Sequence, residues 1–278
     1  VCSSDLDGMK LEKWGDLVLL RPDPQIIWHP KFKLEEDKRI NAIYNRSSSG
    51  GGSWKMLDKV PDNFVIERNG LKFSLKLMGF KHTGLFPEQA VNWDILGDII
   101  KKSNRELKIL NLFGYTGAAT IACIKNGAKV THVDAAKAMV DRCKQNMDLN
   151  NLDKTKIRYI VDDCKKFVEK EIRRGMTYDG IIMDPPSYGR GTSGEVWKLE
   201  DSLFDFVVQS EKLLSKDAAF FLINSYTTGL QPTVIENILR LALEKKHKGK
   251  FEAYELALPT EEGINLPCGC SGLWTSKV

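Results

Sequence analysis

Lys108-Ile109-Leu110-Asn111-Leu112-Phe113-Gly114-Tyr115-Thr116-Gly117-Ala118 decides the fold. It opens as a short apolar run of strand length, is interrupted by two glycines, and continues into an alanine-led stretch of helical character. Glycines at this spacing let the backbone turn tightly and approach a ligand at the start of the following helix. The same texture recurs downstream. Strands are predicted at 108–112, 129–133, 157–161, 180–183 and 219–223, with helices at 118–126, 136–150, 164–174, 200–214 and 232–243. Such alternation is the signature of βαβ units and a parallel sheet, which 251–257 and 271–276 would complete to seven strands. The predicted class is α/β with a parallel sheet and no internal repeats.

Upstream the pattern differs. Short β-prone runs at 16–20, 64–67 and 71–77 are separated by turn signals at 21–24, 61–63 and Asn69-Gly70, the last a good hairpin signal. Ser47-Ser48-Ser49-Gly50-Gly51-Gly52-Ser53 is low-complexity and reads as a flexible loop. Residues 1–80 are thus expected to form a small β-rich module and 81–278 the α/β domain. Val1-Cys2-Ser3-Ser4-Asp5-Leu6 resembles a translated adapter remnant, and the chain does not begin with Met.

The 278 residues are 42% hydrophobic and 28% charged, enough apolar matter for a core and too much for disorder. A net charge of +4 allows a nucleic-acid partner without demanding one. No run of about 18 apolar residues is present, so no membrane span is expected. Six cysteines are too few for a disulfide scaffold. Cys123, Cys143 and Cys164 fall in predicted helices and read as reduced cytoplasmic thiols. Cys268-Gly269-Cys270 has the wrong spacing for zinc, and no metal is expected.

In open parallel sheets, ligands bind beyond the carboxyl ends of the strands. The glycine turn at Asn111–Gly117 is not G-x-G-x-x-G. Asp134 follows the second strand at the separation where an acid meets ribose hydroxyls, and could equally cap the next helix. Asp163 could accept a hydrogen bond from an adenine amine, though a helix cap is the commoner role. After the fourth strand stands Asp184-Pro185-Pro186-Ser187-Tyr188-Gly189-Arg190-Gly191, the most specific signal in the chain. Proline stiffens the backbone, so Asp184 and the Pro185 carbonyl become fixed acceptors suited to an amino group. Tyr188 offers a face for a planar base.

These strand ends, in this order, resemble the class I S-adenosylmethionine-dependent methyltransferases over about residues 81–278. More narrowly, Lys81–Gln89, Asn111–Gly117 and Asp184–Tyr188 resemble the bacterial 23S ribosomal RNA large-subunit methyltransferase family. The resemblance implies a Rossmann-like seven-stranded methyltransferase sheet behind the β-rich module, with S-adenosyl-L-methionine as cofactor and RNA, ribosomal in this family, as substrate. It places Thr83, Gly84, Phe86 and Gln89 over the methionine part, and Asn111, Phe113, Gly114, Tyr115 and Gly117 below it. Asp134 would hold the ribose, Ala135 pack on adenine and Asp163 meet its amine. Asp184, Pro185 and Tyr188 would receive the methyl acceptor. A PUA domain, common in such proteins, is not apparent.

Members that methylate C5 of cytosine need a cysteine nucleophile, and Leu222–Leu230 contains none. A base nitrogen is therefore the expected target, with carbon methylation through Cys268 the alternative. Arg190, Trp197 and Lys198 could meet RNA, and Asn224, Ser225 and Tyr226 a polar substrate. The basic runs Lys165, Lys166, Lys170, Arg173, Arg174 and Lys245, Lys246, Lys248, Lys250 read as solvated faces. A nucleotide-dependent oxidoreductase would need a third glycine and a catalytic Tyr/Lys or His set, which are not found. A non-catalytic RNA-binding assembly factor would have no chemical need of Asp134, Asp184 and the glycine turn.

Overall fold

The apolar runs form a parallel sheet in the computed structural model, whose described residues are 2–3, 8–29, 34–47, 51–79, 81–190, 196–227 and 229–276. Most of the remnant-like start, residues 48–50, Gly191 and the Arg190 side chain lie outside them. The chain divides into two compact units, 1–88 with 257–268 and 89–256 with 269–278.

In the first unit, β1 (Cys2–Ser3), β2 (Met9–Trp14), β3 (Leu17–Pro22), β4 (Ala42–Arg46) and β5 (Gly52–Met56) form one sheet in that order. β6 (Phe64–Arg68) and β7 (Leu71–Leu75) form a hairpin. Asn69 and Gly70 both have positive φ, as its two-residue turn requires. Leu11, Leu20, Leu34 and Ile40 make a small core. The expected loop at 47–53 is corrected in part: Gly52 and Ser53 belong to β5, paired with Arg46 and Asn45. That pairing is anchored by the edge-on rings of Tyr44 and Trp54, 5.3 Å apart.

The second unit runs α1 (Ala90–Lys102), β8 (Lys108–Leu112), α2 (Ala118–Lys125), β9 (Lys129–Asp134), α3 (Lys137–Leu149), β10 (Ile157–Val161), α4 (Cys164–Arg173), β11 (Gly180–Met183), β12 (Tyr188–Arg190), β13 (Val196–Lys198), α5 (Leu199–Glu211), β14 (Phe220–Ser225) and α6 (Pro232–Leu243). β15 (Gly249–Pro259) and β16 (Asn265–Ser276) follow, each with residues in both units. The seven strands lie in the order β10-β9-β8-β11-β14-β16-β15. The first five run parallel and β16 antiparallel to β14. β11 is apolar throughout and β8 and β14 mostly so, because helices cover both faces. On one face, Leu110, Leu112, Ile181, Met183, Phe221 and Ile223 pack with Phe167 of α4, Phe206 of α5 and Leu239 of α6. Each such side chain contributes about 1.5–3 kcal/mol on burial.

Candidate active site

Register decides what meets at the rim. Leu112 of β8 lies opposite Val133 of β9 on one side and Met183 of β11 on the other. Phe113, Asp134 and Asp184 therefore leave three adjacent strands at one level.

The loop after β8 is held in an uncommon shape. Phe113, Tyr115 and Gly117 have φ of 57°, 50° and 88°, all in the left-handed region. For the two aromatic residues this conformation costs of order 1 kcal/mol or more and persists only where the surroundings impose it. Gly114 N–H donates to Val133 O at 2.9 Å and Tyr115 N–H to Asp134 Oδ2 at 2.9 Å. A side chain on Gly117 would put its Cβ 2.2 Å from Cys143 Sγ. No side chain caps α2, whose first turn carries no acid, so its N-terminal amides keep their positive end for an anion. Asn111, by contrast, turns inward: its Nδ2 donates to Thr120 Oγ1 at 2.8 Å within the core.

Asp134 does not cap α3. Its Oδ1 accepts from Ala136 N–H at 2.8 Å while Oδ2 holds the glycine loop, and each oxygen keeps a lone pair for a further donor. Burial raises its pKa, and the Ala136 and Tyr115 amides pull it back. Ala135 beside it is exposed. Asp163 caps α4, accepting from Lys166 N–H at 2.9 Å. It also lines a cleft of about 410 Å³ that Trp197 and Phe206 share. A carboxylate beside flat aromatic walls suits a planar heterocycle with an exocyclic amine.

Asp184 is half-buried and Pro185 buried. The loop they begin is tied on three sides. Trp197 Nε1 donates to Pro186 O at 2.6 Å, Leu199 N–H to Ser187 O at 3.0 Å and Thr227 Oγ1 to Ser187 Oγ at 2.7 Å. Trp197 stacks in turn with Phe113 and Phe206, each 5.8 Å away between ring centres. Trp197, which by sequence could meet RNA, braces the Asp184 loop and lines the Asp163 cleft. Tyr188 stands half-exposed in the β12–β13 hairpin.

Gln89 caps nothing with its side chain at the start of α1. Its Nε2 donates to Tyr226 OH at 2.5 Å, and its Oε1 accepts from Asn92 Nδ2 at 2.7 Å. Asn92 also reaches Asn224 Oδ1 and Ser271 Oγ and receives Tyr254 OH. This buried cluster fixes the end of β14, and Asn224 and Ser225 are consumed by the core. Asn92, Ser271 and Tyr254 were not singled out from the sequence. A buried polar residue among apolar neighbours was the available signal.

Thr83, Gly84 and Phe86 belong to the first unit. Thr83 is fully buried, and its Oγ1 has no hydrogen-bond partner among the described residues. Gly84 has a φ of 96°, and the Phe86 ring lies 5.4 Å from that of His82. Cys268 in the same unit has its thiol pushed up to about 12 by burial, with Sγ–H donating to Leu266 O at 3.4 Å. Of the basic runs, Lys170 pairs with Asp162, Arg174 with Glu171, Lys246 with Glu211 and Lys250 with Glu252. Among the described residues no group of three or more His, Cys, Asp or Glu could hold a metal ion, and no helix is long and apolar enough to cross a membrane.

A five-strand parallel run with an antiparallel seventh partner, a glycine turn after the first strand and acids ending its neighbours define a class I methyltransferase. The chain belongs to the S-adenosylmethionine-dependent methyltransferase family, whose model matches residues 16–215. It is similar to a crystal structure of the SAM-dependent methyltransferase from Agrobacterium tumefaciens, with a TM-score of 0.91 and 33% identity, covering 98% of this chain and 88% of that one. Ribosomal RNA large subunit methyltransferase K/L of Shewanella frigidimarina is 29% identical over 67% of this chain and 26% of its own length. Ribosomal RNA large subunit methyltransferase K of Neisseria meningitidis serogroup B is 28% identical over 79% of this chain and 63% of its own. The chain thus spans about a quarter of the K/L relative.

Proposed function

We propose that this chain transfers a methyl group from S-adenosylmethionine to RNA, onto the exocyclic amine of a ribosomal RNA base. The observation that carries the reading is the level meeting of the glycine loop, Asp134 and Asp184 on three adjacent strands. The names of the K/L and K relatives support ribosomal RNA as the substrate class.

The donor set fits the cofactor. Asp134 keeps lone pairs for ribose hydroxyls, Ala135 leaves an open face for adenine, and Asp163 stands beside aromatic walls for its amine. The uncapped start of α2 suits the amino-acid carboxylate, with Phe113, Gly114, Tyr115 and Gly117 shaping the approach. Gln89, at the start of α1, would add to the site from the same unit. When bound, S-adenosylmethionine supplies an electrophilic methyl group on a sulfonium.

The protein's part is placement, which supplies about 7–11 kcal/mol when the acceptor is held in line. Asp184 and the Pro185 carbonyl would each accept one N–H of the amine. That draws the nitrogen lone pair out of the ring and stabilises the charge that grows on the nitrogen. Tyr188 would stack on the extruded base. The high thiol pKa of Cys268 and the lack of cysteine in Leu222–Leu230 favour nitrogen over carbon.

Calorimetry with S-adenosylmethionine and with NAD tests the cofactor. Binding of NAD alone would overturn the reading. Asp184→Ala is expected to abolish methyl transfer and leave cofactor affinity within a few-fold; unchanged turnover would remove Asp184 from the acceptor site.

A further inference from the structure

We infer that His132, tied through Thr120 to Asn111, is a positioning residue that sets the shape of the glycine loop and thereby the affinity for the cofactor. The inference rests on the cofactor reading above and adds residues outside the cleft itself. His132 sits in β9 two positions before Asp134, fully buried, with Asn111 opposite it on β8 and Tyr159 on β10. Asn111 Nδ2 donates to Thr120 Oγ1 at 2.8 Å, and Thr120 Oγ1 lies 2.9 Å from His132 Nδ1. With Asn111 donating into the hydroxyl oxygen, the chain continues as Thr120 O–H donating to Nδ1, leaving the ring proton on Nε2.

The other edge of the ring meets the loop. A Cβ on Gly114 would lie 2.4 Å from His132 Cε1, so the loop backbone rests directly on the imidazole. Nε2 is buried without a hydrogen-bond partner among the described residues, while the Tyr115 backbone beside the ring draws its pKa up. Burial outweighs that and pushes the pKa down to about 4, keeping the ring neutral. An unsatisfied buried nitrogen is unfavourable where valine would pack freely. Its place under two strained non-glycine residues gives it a purpose: the rigid ring holds Phe113, Gly114 and Tyr115 in the conformation that strain alone would release.

Calorimetric titration of S-adenosylmethionine into wild type, His132→Leu and His132→Asn tests this. His132→Leu keeps volume and removes the acceptor for Thr120, and its Kd is expected to rise about tenfold. His132→Asn restores an acceptor for Thr120 but not the ring edge beneath Gly114, and is expected to recover only part of that loss, to about fivefold above wild type. A His132→Leu Kd equal to wild type, or no recovery in His132→Asn, overturns the inference while the cofactor reading stands. Should His132→Leu show no cooperative thermal transition, Thr120→Val carries the test with the same expected tenfold loss, and an unchanged Kd overturns it. Wild type that binds no S-adenosylmethionine removes the cofactor reading and this inference with it.

Discussion

At the scale of single residues, the rim depends on contacts that admit one side chain and no other. Gly117 combines a φ of 88° with a Cβ position 2.2 Å from Cys143 Sγ. Gly117→Ala is expected to lower the unfolding free energy by about 2 kcal/mol or more, measured by urea denaturation. Adding Cys143→Ala removes the Sγ contact but leaves its Cβ 2.9 Å away, so it should return part of the loss; a double variant no better than the single would show that the Sγ clash is not the cause. Cys268→Ser is expected to leave methyl transfer unchanged, because a thiol raised to about 12 is not a ready nucleophile. Loss of transfer would bring back the carbon route. Asp184 and its prolines were legible in the sequence because that combination after a buried strand has little structural use. The inward turn of Asn111 was not, since only the strand register shows it sharing a face with His132.

At the scale of elements, α4 carries two readings of Asp163 that substitutions separate. Asp163→Ala removes the cap and is expected to cost about 1 kcal/mol of stability. Asp163→Asn keeps a capping oxygen and should hold stability within a few tenths of a kcal/mol, yet raise the Kd for S-adenosylmethionine about fivefold through the lost charged acceptor. Equal Kd values for wild type and Asp163→Asn would leave the residue as a cap alone. The alternating strands and helices from 108 onward were readable because covered parallel strands are mostly apolar. Several elements escaped, α1 and β2 among them. α1 was hidden because Asn92 and Gly97 interrupt its apolar face, and both are buried there for polar and close-packed contacts. β2 was hidden because Lys13 breaks the alternation begun by Met9-Lys10-Leu11-Glu12, whose polar members are buried as ions.

At the scale of the whole molecule, acid should reach the first unit through that ion network. Arg21 grips Glu12 with Nε and a terminal nitrogen, and Lys10 bridges Glu12 and Asp23 at 3.1 Å each. Burial alone would raise the Glu12 pKa, but Arg21 and Lys10 overcome it and bring it to about 2 from an ordinary 4.5. A depressed carboxylate stabilises the fold fully above about 4.5, and that contribution fades as the pH falls toward about 2. Urea midpoints should decline across that window. Glu12→Gln should lose about 3–5 kcal/mol at neutral pH, by leaving Arg21 buried and unpaired, and show a flatter decline. A Glu12→Gln profile that parallels wild type would remove Glu12 as the titrating group. The proposed reaction turns on a different group, the rigid acid at the end of β11 that would present a base amine to the methyl donor. Mass spectrometry of nucleosides from ribosomal RNA incubated with isotope-labelled S-adenosylmethionine tests it most directly. The expected product is a base labelled on an exocyclic nitrogen with wild type and none with Asp184→Ala. Label on cytosine C5, or equal labelling by the two proteins, would contradict it.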